Sequence, residues 1–134
     1  MDWTLEVITV PVADIDRAVS FYRDQLGFAV DLDTQIADDT RLVQLTPPGS
    51  GCSIHLRTGN DGMTPGSLRS LIVVVPDIEA AHAELVARGA DFGEIVHHDG
   101  TGLVPGKGGP WNSFLPFTDP DGNSWSLQES PPDR

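Results

Sequence analysis

Residues 5–14, Leu-Glu-Val-Ile-Thr-Val-Pro-Val-Ala-Asp, lead directly into residues 15–27, Ile-Asp-Arg-Ala-Val-Ser-Phe-Tyr-Arg-Asp-Gln-Leu-Gly, and the same order returns in the second half. There residues 71–77, Leu-Ile-Val-Val-Val-Pro-Asp, precede residues 78–89, Ile-Glu-Ala-Ala-His-Ala-Glu-Leu-Val-Ala-Arg-Gly. The aspartates that open the two helical stretches, Asp14 and Asp77, lie 63 residues apart, and the glycines that close them, Gly27 and Gly89, lie 62 apart. A repeat of about half the chain length implies two copies of one supersecondary unit.

Each copy reads as a strand followed by a helix. The short apolar, β-branched run 5–12 predicts a buried strand. Asp14 and Asp77 are suited to cap the free backbone N–H groups of a first helical turn. Ile15, Ala18, Val19, Tyr22 and Leu26 recur at three- and four-residue spacing, as do Ile78, Ala81, Leu85 and Val86, so each helix carries one apolar face. Gly27 and Gly89 fit the left-handed position that ends a helix. Further strands are expected at 28–32, 41–46 and 52–57, and in the second half at 91–97, 113–117 and 124–129. The last two are joined by Asp119-Pro120-Asp121-Gly122-Asn123, a strong turn signal. The expected organisation is therefore one α+β domain over 1–134. It has a βαβββ module at about 1–58, a linker at 59–67 rich in Gly, Asn, Asp, Thr and Pro, and a second βαβββ module at about 68–130. Residues 97–112 break the symmetry with five glycines, two prolines, Lys107 and Trp111, and read as a surface loop or a cover over a binding site.

Composition narrows the function classes. The net charge of −12, from 20 acidic and 8 basic residues, argues against nucleic acid, whose recognition rests on clustered Lys and Arg. The acidity serves solubility, with a cationic ligand as the sharper alternative. Cys52 is the sole cysteine, so no internal disulfide forms. No basic leader followed by an apolar stretch is present, and no apolar run approaches the roughly 20 residues of a membrane span. A soluble cytoplasmic protein is expected.

The helix motif at 14–28, with Arg17-Ala18, Phe21-Tyr22 and Leu26-Gly27-Phe28, followed about a hundred residues later by Asp119-Pro120-Asp121-Gly122-Asn123, resembles the vicinal oxygen chelate superfamily. Its members include glyoxalase I, extradiol dioxygenases, fosfomycin-modifying transferases and bleomycin-binding resistance proteins. The resemblance covers nearly the whole chain. It implies two modules whose mixed sheets curl into a common cup with the helices outside. In metal-dependent members the ligands stand on the first and fourth strand of each module. The corresponding positions here are Val7, His55, Ser70 and Ser126. Valine offers no lone pair and serine is a poor neutral ligand, so no metal and no other cofactor is expected, a divalent ion being the minority alternative. Glu6 and Glu129 lie next to those strand positions, offset by one residue and by three, an odd number that turns each to the other face. His97 and His98 could reach the cup mouth from the loop.

Strand alternation places Val7, Thr9, Pro11, Ser53, His55, Arg57, Ser70, Ile72, Val74, Ser124, Ser126 and Gln128 on the inward face. Their neighbours Ile8, Val10, Val12, Ile54, Leu56, Leu71, Val73, Val75, Trp125 and Leu127 then face the helices. His55 is the candidate acid or base, since imidazole titrates near neutrality, or else it lines the pocket as a hydrogen-bonding group. Thr9, His55, Arg57, Ser70, Ser126 and Gln128 are candidate ligand contacts, with Arg57 suited to a carboxylate or phosphate. Trp111 and Phe114 could stack on a planar ligand. His82 reads as an ordinary surface histidine, and Cys52 as structural.

Two function classes follow. One is a metal-free small-molecule-binding protein similar to the bleomycin-binding resistance proteins, with a small organic ligand as partner. The other is an enzyme, a glyoxalase-like lyase or isomerase or a dioxygenase, with relocated or degenerate metal ligands. The resemblance implies a homodimer for either class.

Overall fold

A computed structural model describes residues 1–58 and 62–134; part of the expected linker, 59–61, lies outside the described residues. The chain divides into two compact units, Met1–Leu68 with Asp119–Asn123, and Arg69–Thr118 with Ser124–Arg134. Both are mixed sheets carrying one helical segment, an α+β architecture.

In the first unit β1 (Val7–Thr9), β2 (Ala29–Ala37), β3 (Thr40–Thr46) and β4 (Ser53–Arg57) form a sheet of order β1-β4-β3-β2, in which only β1 and β4 run parallel. Helix α1 (Ile15–Val19) starts at Asp14, whose carboxylate accepts from the Arg17 N–H at 3.1 Å. The predicted helix continues, but as a π-helical stretch, Ser20–Gln25, with Leu26 N–H reaching back to Phe21 C=O at 3.1 Å. Phe21 and Tyr22 on this stretch are both buried. Val43, Leu45, Ile54 and Leu56 alternate onto the helix side of β3 and β4 and are buried. Strand β2 is longer than the expected 28–32. Its outer half is exposed and so leaves little apolar signal; it is held by pairing with β3 and by Arg41, which donates to Asp33 at 2.9 and 2.8 Å and to Asp16 at 2.7 Å.

The turn Asp119–Asn123 belongs to this first unit, although it joins two strands of the second. Asn123 donates from Nδ2 to the Pro11 carbonyl at 2.9 Å, and Asp121 accepts from Ala13 N–H and from Arg17, both at 3.1 Å. Pro11 is consequently buried and does not line an open face as expected. Gly66, at φ +78°, presses its Cα against the turn: a Cβ there would collide with the Asp121 carbonyl oxygen.

In the second unit β5 (Leu71–Val75), β6 (Val96–His98), β7 (Leu103–Pro105), β8 (Phe114–Thr118) and β9 (Ser124–Glu129) form a sheet of order β5-β9-β8-β6-β7. Helix α2 (Ile78–Ala87) buries Ile78 and Leu85. Val86, placed on the apolar face from the sequence, is 51% exposed; the inward stripe is completed instead by Ala81 and a half-buried His82, at the three- and four-residue spacing from Ile78 and Leu85. Trp125 and Leu127 are buried as expected, and Phe117 stacks between Phe92 and Trp125 at centroid distances of 4.5 and 6.1 Å. The main departure is the segment 97–112. It is not a plain loop: His98 pairs with Leu103 and Val96 with Pro105, forming a hairpin, while 91–95 carries no strand. The turn is tied by the Asp99 carboxylate, which accepts from Thr101 N–H, Thr101 Oγ1 and Gly102 N–H at 2.7 to 3.1 Å. A turn built around one Asp side chain carries no apolar periodicity, so the flanking three-residue strands are invisible to pattern reading. No helix among the described residues is long and apolar enough to cross a membrane.

Candidate functional site

Each unit offers the face of its sheet that alternates away from the buried residues. In the first unit Thr9 stands opposite His55, and His55 opposite Gln44. His55 Nε2 lies 2.8 Å from Gln44 Oε1, so an imidazole N–H donates to the amide oxygen. Gln44 Nε2 in turn donates to Ser53 Oγ at 3.5 Å, Ser53 Oγ is 2.6 Å from Thr46 Oγ1, and Thr46 donates to the Asp31 carboxylate. Because a carboxylate only accepts, the row runs in one direction from His55 to Asp31. Its chemical result is to place a proton on His55 Nε2. Gln44, the residue that sets this polarity, was missed from the sequence; its alternation with the buried Val43 and Leu45 was the available signal. Arg57 is exposed at the end of β4 opposite Leu42.

The second unit holds a cleft of about 720 Å³. Ser70, Phe114 and Ser126, all expected site residues, line it together with Ile72, Pro116 and Ser124 from the same sheet. Ser126 sits between Ile72 on β5 and Pro116 on β8. The hairpin, in the stretch read from the sequence as a loop or a cover, supplies a wall: His98, one of the two histidines expected to reach the cup mouth, and Leu103 face each other across it, and the His98 ring packs edge-on to Phe114 at 5.7 Å. The hairpin is clamped by Asn112, which donates to the His98 carbonyl and accepts from the His98 N–H, both at 2.9 Å. Gln128 does not line the cleft. It donates from Nε2 to the Trp111 carbonyl at 2.9 Å, while standing opposite Phe114, and so holds Trp111 at that end of the sheet. Asp91 is the charged residue of the lining, and its carboxylate accepts from Gly93 N–H at 3.0 Å.

These residues can enclose a flat apolar group against Phe114, Leu103 and Ile72 and meet its polar edge with serine hydroxyls and His98. Of the positions that the resemblance matches to metal ligands, Val7 on the first unit has no donor atom and His55 Nε2 is engaged by Gln44, while on the second unit Ser126 Oγ donates to the Leu127 carbonyl at 3.0 Å. Among the described residues no three His, Cys, Asp or Glu side chains gather as a ligand set.

No functionally curated protein matches the chain significantly. TnmS3, an antibiotic binding protein from Streptomyces sp. CB03234, is similar in structure with a TM-score of 0.74 and 33% identity over 97% of this chain and 98% of its own. A glyoxalase/bleomycin resistance protein from the same organism has a TM-score of 0.70 and 34% identity, over 93% and 99% of the two chains. A superfamily member from Sphaerobacter thermophilus DSM 20745 has a TM-score of 0.71 and 29% identity, over 96% and 98%. The sequence model of the superfamily matches residues 4–127, and the chain therefore belongs to the glyoxalase/bleomycin resistance protein/dioxygenase superfamily.

Proposed function

We propose that this chain is a metal-free small-molecule-binding protein of the resistance or sequestration type, which holds an aromatic organic ligand on the sheet of its second unit and acts as a cytoplasmic homodimer. The observation that carries this is the 720 Å³ cleft. Its size falls within the roughly 300–1,000 Å³ of ligand sites, and its make-up, mostly apolar with a few hydroxyls, is that of a binding pocket. Similarity to an antibiotic binding protein supports the same reading. The cytoplasm suits Cys52, whose thiol stays reduced there.

Burial of an aromatic face supplies more free energy than one hydroxyl contact, about 1.5–3 kcal/mol against about 1 kcal/mol. Phe114→Ala should therefore weaken binding about tenfold or more, and Ser126→Ala by no more than about fivefold. His55→Ala, on the first unit and outside the cleft lining, should leave that binding unchanged. The test is a thermal-shift screen with aromatic antibiotics, followed by calorimetry on the three variants. A binding compound at a hundred times its Kd raises stability by about 2.7 kcal/mol, and EDTA should leave that gain unchanged. Stoichiometric metal in the purified protein, with a turnover lost on chelation and on His55→Ala, would overturn the proposal in favour of an enzyme.

A further inference from the structure

The polar groups that line the cleft of the second unit differ in what they have left to offer a ligand. Ser126 Oγ gives its proton to the Leu127 carbonyl at 3.0 Å, so toward the cleft it can only accept. Ser124, two residues back on the same face of β9, accepts the Ser70 N–H at 2.8 Å and keeps its own proton. Asp91 is the acid of the lining, and an ionised carboxylate has nothing to donate. Its Oδ1 accepts the Gly93 N–H at 3.0 Å, whereas Oδ2 receives no donor among the described residues. None of the ion pairs among the described residues includes Asp91.

The turn at 91–93 does not need this charge. It uses one acceptor oxygen from residue 91, which an asparagine would supply equally well. The second oxygen and the full negative charge are therefore surplus to the local structure. They stand at a cleft whose other walls include Ile72, Leu103, Phe114 and Pro116, and apolar walls focus the field of a charge between them. The lining thus presents a charged acceptor at Asp91 and a neutral one at Ser126, with no Lys or Arg to answer either. An ammonium group matches that set: it carries the opposite charge, several N–H donors and no acceptor. A carboxylate or phosphate in the same place would be repelled by Asp91, and a neutral hydroxyl would bring one donor without the charge.

We infer that the cleft selects ligands bearing a protonated primary or secondary amine, with the ammonium at the Asp91 carboxylate and the apolar body of the ligand toward Phe114 and Leu103. This rests on the binding role proposed above for the second unit. It adds the charge of the ligand and the residue that reads it: Asp91 sets specificity, and the apolar wall supplies affinity that does not depend on charge.

The test titrates the full chain, followed by NMR, with two probes of nearly the same shape. Naphthylmethylamine is a cation at neutral pH, and naphthylmethanol is its uncharged counterpart. Both should shift the signals of Phe114 and Leu103, and the amine should bind about fivefold more tightly, the reach of an ion pair whose carboxylate is open to solvent. Asp91→Asn keeps the oxygen that accepts from Gly93 and should bring the amine's affinity down to the alcohol's. Added salt should narrow the gap between the probes in the wild type and have no gap to narrow in Asp91→Asn. A preference for the amine that survives Asp91→Asn would overturn the inference. So would a variant that weakens both probes equally, since Asp91 would then act through the turn and not through its charge. If both probes shift Phe114 and Leu103 with equal affinity, the cleft reading stands and selection for an amine falls. Should the amine shift Asp91 and Gly93 while neither probe moves Phe114 or Leu103, the carboxylate site stands and the cleft reading falls. A titration in which neither probe moves any of these residues overturns both.

Discussion

Tyr22 places its hydroxyl 2.6 Å from Asp119 Oδ2, which also accepts from Asn123 Nδ2 at 2.8 Å. The other oxygen, Oδ1, accepts from the backbone of Asp121 and Asn123 at 3.0 and 2.9 Å. All three side-chain partners are buried: Tyr22 and Asn123 completely, Asp119 with 4% exposure. A buried carboxylate is tolerated only when its lone pairs are satisfied, and each hydrogen bond to a charged group is worth about 1.5–3 kcal/mol. Tyr22→Phe keeps the ring and its edge-on contact with Phe21 but removes one donor, so it should lower unfolding free energy by about that amount. Urea denaturation measures the loss. A midpoint equal to the wild type's would show that three donors satisfy Asp119.

At the scale of elements, the start of α2 depends on a residue from another strand. Asp77 caps it by accepting from Ala80 N–H at 3.0 Å, and Glu129 on β9 accepts from Ile78 N–H at 2.9 Å. Lys107, on the glycine-rich stretch after β7, reaches Glu129 at 3.0 Å and Glu79 at 3.5 Å. The Ile78 N–H, and after it Lys107, hold the Glu129 carboxyl below its ordinary value of 4.5, against opposing effects of burial and of Asp77. A carboxyl depressed in the folded state contributes stability above its unfolded pKa and loses it as pH falls through the folded pKa. Glu129→Gln should therefore be less stable than the wild type at pH 7, and the difference should shrink as pH drops below about 4.5. Chemical denaturation at a series of pH values follows this. A gap that persists unchanged to pH 3 would mean that Glu129 acts through packing and not through its charge.

For the whole molecule, net charge and exposed apolar surface pull in opposite directions. Leu32 and Ile36 on the nine-residue edge strand β2 are 44% and 49% exposed, and Ile72 on β5 is 54% exposed. Apolar residues on open sheet faces and edges favour coverage by a second copy. A charge of −12 on each chain opposes that approach, with a repulsion that salt screens over about 10 Å at 0.1 M. The proposed homodimer should accordingly tighten as ionic strength rises from about 10 mM to 150 mM, and Leu32→Asp should weaken it. Sedimentation velocity at micromolar concentration provides the measurement. A monomer at every salt concentration would exclude the dimer.

The sequence by itself determined the doubled strand–helix order, the aspartate N-caps, the glycines that end the helices at positive φ, and the Asp119–Asn123 turn. These are local: capping, apolar periodicity and left-handed glycine are written within a few residues of where they act. Alternation along β4 and β9 was also legible, which is why His55 and Ser126 stand on open faces while Ile54, Leu56, Trp125 and Leu127 are buried; Ser70, left-handed and just ahead of β5, reaches the cleft outside that alternation. Only the tertiary structure decided the rest. The π-helical widening at Ser20–Gln25 and the bond from its Tyr22 to Asp119, 97 residues away, leave no mark in the local pattern. The β6–β7 hairpin exists because Asp99 ties its turn and Asn112 clamps its edge, and it brings His98 and Leu103 to the cleft. Gln44 fixing His55, Gln128 holding Trp111 and Arg134 covering the indole are all contacts between distant residues. Such contacts depend on which backbone segments lie side by side, and that is set by the packing of the whole sheet and not by the pattern of any one segment.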